Sequence, residues 1–200
     1  SSGTVIATTT TNSSGRYLFT GLNPGNYSVR IPAGNFTGSG ALVAYRSTTD
    51  QAGFNTPNND RNENQDENGI DDAAPATNGI TSGTVTLAFG AEPASPSNND
   101  GDADANSNRT VDFGFYAPMN LGNQIWHDAD GNGLKDAGEA GIGGVELRLF
   151  REGDNPTSAT PVKTTTTDSA GVYNFTDLIP GRYFVYIPTP PALYPASSVV

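Results

Sequence analysis

Twelve consecutive residues, Asp-Ala-Asp-Gly-Asn-Gly-Leu-Lys-Asp-Ala-Gly-Glu from 128 to 139, place an oxygen donor at every position that a calcium loop uses. Asp128, Asp130, Asn132, the Leu134 carbonyl, Asp136 and Glu139 hold positions 1, 3, 5, 7, 9 and 12. Gly133 holds position 6, where such a chain turns sharply. Calcium takes roughly six to eight oxygens at about 2.3–2.6 Å. A tightly curled loop turns alternate side chains inward, and a terminal glutamate closes the shell with both oxygens. The bland alternative is a solvated Asp/Asn/Gly turn, which leaves the match at every ligand position without a reason.

Two further stretches alternate oxygen-bearing residues. Asp60, Asn62, Asn64, Asp66 and Asn68 precede Gly69-Ile70-Asp71-Asp72. In the register that starts at Asn64, Ile70 is position 7 and Asp72 is position 9, but Pro75 stands where the closing glutamate belongs. Asp100, Asp102, Asp104 and Asn106 repeat the alternation up to Asn108, again without a glutamate. Both are expected to hold metal, sharing an ion or completing each other's shells, against the alternative of plain acidic loops. All three donor sets are oxygen only, which favours Ca²⁺ over zinc or copper.

Charge follows the same three places. The chain carries a net charge of −11. Segment 127–140 carries −3, segment 58–72 carries −5 and segment 98–109 carries −2, leaving −1 for the rest. A solvated acidic surface spreads its charge, whereas focused carboxylates repel one another until a cation relieves them. Nucleic acid is not an expected partner of such a chain.

The elements around the first loop are not helices. Residues 121–127 are short and largely apolar. Residues 140–150 begin with glycines and then alternate Val145, Leu147 and Leu149 against Glu146 and Arg148. Both flanks read as strands, so the loop pins two strands instead of opening a helix pair. Helix formers are scarce and Thr, Gly, Asn, Pro and Ser abundant, the profile of short strands joined by ordered polar loops.

The chain also repeats itself. Residues 8–32, TTTTNSSGRYLFTGLNPGNYSVRIP, match residues 164–188, TTTTDSAGVYNFTDLIPGRYFVYIP, at 16 of 25 positions with a constant offset of 156. Residues 1–118 therefore read as the later part of one repeat and 119–200 as the early part of the next. In each copy a Thr-rich strand leads to a Gly turn. Tyr173 and Phe175 then alternate, a Pro-Gly turn follows, and Tyr183, Val185 and Ile187 alternate up to Pro188. Further strands are expected at 41–46, 84–89 and 110–116, with long loops at 47–83 and 90–109. That gives about seven strands per repeat, enough for a two-sheet sandwich.

Several function classes fall away. There is no Cys, so neither disulfides nor thiol chemistry, and no apolar run of about 18 residues to cross a membrane. His127 is the sole histidine and reads as a strand-end residue; nothing marks a nucleophile, and the carboxylates stand at metal-type spacing. No enzyme activity is expected. The chain reads as cytoplasmic or, in preference, as an internal segment of a longer secreted protein.

The runs LGNQIWHDADGNGLKDAGEAGIGGVELRLF and TTTTDSAGVYNFTDLIPGRYFVYIP, with SNRTVDFGFY at 107–116 as a closing strand, resemble the B-type repeat of serine-aspartate repeat surface proteins of Gram-positive bacteria. The resemblance implies an all-β fold of tandem immunoglobulin-like sandwiches close to the collagen-adhesin B domain. It also implies calcium at Asp128, Asp130, Asn132, Asp136 and Glu139, and repeats stacked into an extracellular stalk stiffened by Ca²⁺. The region 47–106 is longer than in the usual repeat. The expected partners are neighbouring repeats of the same chain or fibre. The alternative is an adhesin that grips a host protein or glycan through 47–106. Related sandwiches carry Lys–Asn isopeptide bonds, but with only Lys135 and Lys163 none is expected here. Of five Asn-x-Ser/Thr sequons, Asn35 and Asn108 are the better glycosylation candidates because they fall in loops.

Overall fold

Alternation of apolar and polar residues, interrupted every few residues by glycine or proline, yields short antiparallel strands and little else. The computed structural model describes residues 3–48, 68–92 and 105–194. They fall into two units, Ser1–Phe115 and Tyr116–Val200, each described here by itself.

The first unit contains β1 (Gly25–Tyr27), β2 (Arg30–Ile31), a 3-10 turn at Ala33–Phe36, β3 (Arg46–Ser47), β4 (Gly69–Ile70), α1 (Pro75–Asn78), β5 (Ile80–Ser82) and β6 (Val85–Leu87). β7 (Phe115–Tyr116) lies at its end and pairs with β3. β2, β5 and β4 form one sheet, and β1 pairs with β6. Residues 80–87 thus run antiparallel along 25–31. Gly25 faces Leu87 and Tyr27 faces Val85, then the register slips by one so that Arg30 faces Thr81 and Ile31 faces Ile80. A one-residue slip of this kind is a bulge. Phe36 is buried and its ring lies 6.0 Å from that of Phe115.

Two sequence expectations change here. Residues 41–46 form no strand except at Arg46. Gly40, Val43 and Tyr45 donate their N–H groups to Thr37, Gly40 and Leu42, a run of tight turns that Gly38 permits with φ of 58°. In 110–116 only Phe115–Tyr116 pairs as a strand, because Asp112 exchanges hydrogen bonds with Asn68 instead. The single turn of helix α1 was not expected; Pro75 at its first turn and Gly79 after it with φ of 73° account for its start and stop.

The second unit is a small sandwich. It contains β8 (Met119–Gln124), β9 (Glu146–Arg151), β10 (Lys163–Thr166), β11 (Val172–Leu178) and β12 (Tyr183–Tyr186). One sheet has the order β10-β9-β12, the other is the pair β11-β8, and all pairs are antiparallel. The core is Leu147 and Leu149 from β9 against Phe175 and Leu178 from β11, with Ile125, Tyr173, Tyr183, Val185 and Ile187 around them. Each such buried side chain contributes roughly 1.5–3 kcal/mol. On the opposite face of β9, Phe150 is also fully buried, stacked on Phe184 at 5.5 Å and edge-on to Tyr186.

The repeat seen in sequence recurs in local geometry. Asn12 accepts the N–H groups of Ser14 and Arg16 through Oδ1, and Asp168 does the same for Ala170 and Val172. Tyr17 meets Phe19 edge-on at 5.9 Å and Tyr173 meets Phe175 at 5.8 Å. The Tyr27 hydroxyl donates to the Asn23 carbonyl at 2.6 Å and the Tyr183 hydroxyl to the Ile179 carbonyl at 2.7 Å. What differs is pairing: Val172–Leu178 is a strand against β8, whereas residues 16–22 form no ladder among the described residues. Side-chain alternation sets the local turn and the aromatic contact, but a strand needs a partner.

Candidate metal centre

The loop 128–139 is held from below by backbone pairing. Trp126 and Gly141 form an antiparallel bridge, the His127 N–H donates to the Ala140 carbonyl at 2.9 Å, and the Ile142 N–H donates to the Ile125 carbonyl at 2.9 Å. The loop therefore leaves and re-enters at one fixed point between two extended segments, with no helix on either side. Gly141 sits where it does because the backbone is crowded: a Cβ there would overlap the Ala170 carbonyl, and one at Gly171 would overlap the Ile125 carbonyl.

Inside the loop the carboxylates gather the backbone. Asp128 accepts from Gly131 and Asn132 through Oδ1 and from Gly133 through Oδ2, at 2.9, 3.2 and 2.9 Å. Gly133, with φ of 77°, makes the sharp turn assigned to it. Glu139 reaches back across the ring: Oε1 accepts the Ala129 N–H at 2.7 Å and Oε2 the Asp136 N–H at 3.1 Å. One carboxylate oxygen from each of Asp128, Asp130 and Glu139 lies within 4.8 Å of the other two.

The other expected ligands sit beside this trio. The Asn132 amide donates to Asp130 and Asp136, each at 2.8 Å, and its Oδ1 accepts the Leu134 N–H. The Leu134 side chain is exposed, as suits a residue expected to act through its carbonyl. The Lys135 ammonium donates to the Glu139 and Asp136 carbonyls, not to the three converging carboxylates. Three like charges at this spacing repel by roughly 1–3 kcal/mol per pair, depending on how well water screens them. An arrangement of hard, anionic oxygens around a turn fits a hard divalent cation, and Ca²⁺ tolerates the irregular geometry that Mg²⁺ does not.

The two other acidic stretches are only partly described. Asp60, Asn62, Asn64, Asp66, Asp100, Asp102 and Asp104 lie outside the described residues, as does most of 47–106. At the edge of the first stretch Asn68 is buried and its Oδ1 accepts the Asp112 N–H at 2.6 Å. Asp72 lies beside the α1 turn, accepting from the Ala74 N–H at 2.7 Å and from the Asn78 side-chain amide at 3.0 and 3.1 Å. Its neighbour Asp71, which the spacing did not single out, has a buried Oδ1 without a hydrogen-bond partner. At the second stretch Asn106 accepts the Gly90 N–H through Oδ1 at 2.9 Å. Glu92 is the residue sequence reasoning missed. It is buried, accepts from Ala88 and from the Asn108 amide, and its N–H donates to the Ala105 carbonyl. Its hydrogen bonds thus join Ala88 to Ala105 and Asn108. The only sequence signal was an acid just before the alternation, on the side opposite to a closing glutamate.

The glycosylation candidates differ too. The Asn108 amide is committed to Glu92 at 2.9 Å, whereas the Asn35 amide makes only a 3.4 Å contact with the Pro32 carbonyl.

Residues 1–62 and 119–199 match the model of the SdrD B-like domain. The chain belongs to the SdrD B-like domain family. It is 34% identical over 199 residues to the serine-aspartate repeat-containing protein F of Staphylococcus epidermidis, covering 98% of this chain and 9% of that protein. It is 35% identical over 196 residues to the serine-aspartate repeat-containing protein D of Staphylococcus aureus strain Newman, covering 98% of this chain and 11% of that protein. The chain thus spans about a tenth of the length of these curated relatives. As an SdrD B-like domain, its sandwich is immunoglobulin-like and it is an extracellular, cell-surface repeat module. No helix among the described residues is long and apolar enough to cross a membrane.

Proposed function

We propose that this SdrD B-like segment is a structural module whose acidic loops bind Ca²⁺ and thereby stiffen an extracellular stalk or fibre. The observation that carries it is the convergence of Asp128, Asp130 and Glu139 within 4.8 Å in a loop clamped at Trp126–Gly141. Asp128, Asp130 and Glu139 would hold the ion, with Asn132, the Leu134 carbonyl and Asp136 alongside. The bound ion supplies charge neutralisation and a cross-link in a chain that has no disulfide. Loop rigidity passes to the sandwich through Ile125 and Ile142, which join the clamp to the core strands. Its partners in this reading are neighbouring repeats of the same chain or fibre, and the role needs no catalysis.

The test is thermal melting with Ca²⁺ and with a chelator, alongside calorimetric titration. An ion that binds only the folded loop at about a hundred times its Kd stabilises by roughly 2.7 kcal/mol. An unchanged Tm with no bound metal would sink the reading.

A further inference from the structure

One cation is already built into the acidic loop. Lys135 is the sole Lys or Arg of segment 127–140, against Asp128, Asp130, Asp136 and Glu139. Its ammonium folds onto the turn 136–139, donating to the Glu139 carbonyl at 2.6 Å and to the Asp136 carbonyl at 3.2 Å. The two ends of that turn are themselves joined. The Glu139 N–H donates to the Asp136 carbonyl at 3.3 Å, and the Asp136 N–H donates to Glu139 Oε2 at 3.1 Å. Gly138, with φ of 97°, lets the chain turn there. The ammonium is thus tied to the main chain of the turn that carries the Glu139 carboxylate.

This tie fixes what the lysine can do. Neither the Asp136 nor the Glu139 carbonyl is an expected ligand, so Lys135 takes no donor away from a metal. What it adds is one positive charge held close to the converging carboxylates. In an empty loop that charge offsets part of their mutual repulsion. Toward a divalent cation the same charge is repulsive. A single and a double positive charge roughly 7 Å apart in water repel enough to change an affinity about fivefold. At about 1 M salt, where the screening length is near 3 Å, little of that remains.

We infer, on the Ca²⁺ reading of this loop, that Lys135 is a tethered counter-charge that steadies the empty loop and holds its Ca²⁺ affinity down. Such a brake moves a site toward the range of about 10⁻⁴–10⁻³ M that extracellular modules use. A site in that range fills and empties with the surrounding calcium instead of staying loaded.

The test is a titration with calcium chloride of the intact chain and of Lys135→Arg, Lys135→Gln and Lys135→Glu. NMR follows the Gly131 and Gly133 amides, so that only this loop is read. At about 0.01 M salt the Kd should fall roughly fivefold in Lys135→Gln and by a second, similar step in Lys135→Glu, with Lys135→Arg at the parent value. At about 1 M salt each step should shrink below about twofold. Without Ca²⁺, amide exchange at Ala129 and Asp136, the two N–H groups that Glu139 holds, should quicken in Lys135→Gln and Lys135→Glu but not in Lys135→Arg. An equal loss of affinity in Lys135→Gln and Lys135→Glu would make Lys135 a brace of the turn alone and overturn the inference, as would one Kd shared by all four proteins. A parent whose Gly131 and Gly133 signals ignore Ca²⁺ would overturn the Ca²⁺ reading itself, and the inference with it.

Discussion

Trp126 and Gly141 form an isolated antiparallel bridge directly beneath the acidic loop. Because Gly141 also lies against the Ala170 backbone, one glycine fixes both the loop's base and its seat on the 168–171 turn. Gly141→Ala is expected to cost about 3 kcal/mol or more, since the clash is with backbone that cannot swing aside. Gly3→Ala, where a Cβ meets nothing within 4 Å, should change stability by less than about 0.5 kcal/mol. Urea melts of the two variants check the pair.

Glu139 spans the loop by accepting N–H groups from Ala129 and Asp136. Glu139→Gln keeps the size but removes the charge. The variant should fold, and its Tm should rise much less on adding Ca²⁺ than that of the parent. Trp126 is the sole tryptophan and stands two residues before Asp128. Its emission gives an independent titration curve, and an unaltered curve in the variant would count against Glu139 as a ligand.

Leu149 is completely buried between the two sheets of the second unit. Leu149→Ala should destabilise that unit by about 2–5 kcal/mol, the transfer loss plus the cavity left behind. Thr167 offers a polar counterpart. Its Oγ1 donates to the Ile142 carbonyl at 2.8 Å and accepts the Val145 N–H at 2.9 Å. Thr167→Val keeps the shape and orphans both groups, for a loss of roughly 1–3 kcal/mol. Chemical denaturation of both variants measures the two effects.

Burial, with the negative charge of Asp112 as a smaller contribution, holds the Tyr17 hydroxyl well above the ordinary tyrosine range; the hydroxyl donates to the Val111 carbonyl at 2.6 Å. Folding therefore favours the neutral phenol. Stability from this group is complete below the unfolded value of about 10 and is lost as pH rises toward the folded one. Tyr173 is raised as well, by burial alone. Absorbance at alkaline pH should show these tyrosines ionising late and together with unfolding. Tyr17→Phe should flatten the fall in stability at alkaline pH.

Much of the second unit is legible in its sequence. The apolar alternation of Leu147 and Leu149 and of Tyr173 and Phe175 marks the faces that meet in the core, because side chains alternate across a strand. The curl of loop 128–139 was legible in the regular spacing of its Asp, Asn and Gly residues, with the turn at Gly133 where the spacing puts it. Phe150 was not, since it breaks the alternation and is buried on the other face by Phe184 and Tyr186, which follow more than thirty residues later. The hydrogen bonds of Glu92 and Asp72 were not legible for one reason. A carboxylate that organises nearby N–H groups and one that awaits a cation look the same in sequence, and only the surrounding donors separate them.

The seam where Gly141 and Gly171 let the main chain meet without side chains has a consequence for how such a module can diversify. Mutational tolerance should be lowest along this line, where neither a larger residue nor a compensating neighbour has room. In a saturation-mutagenesis survey, Gly141 and Gly171 should accept fewer residues than Leu134 or Lys135 in the loop above them. Natural variation would then accumulate at the exposed loop crown while the glycine seam stayed constant.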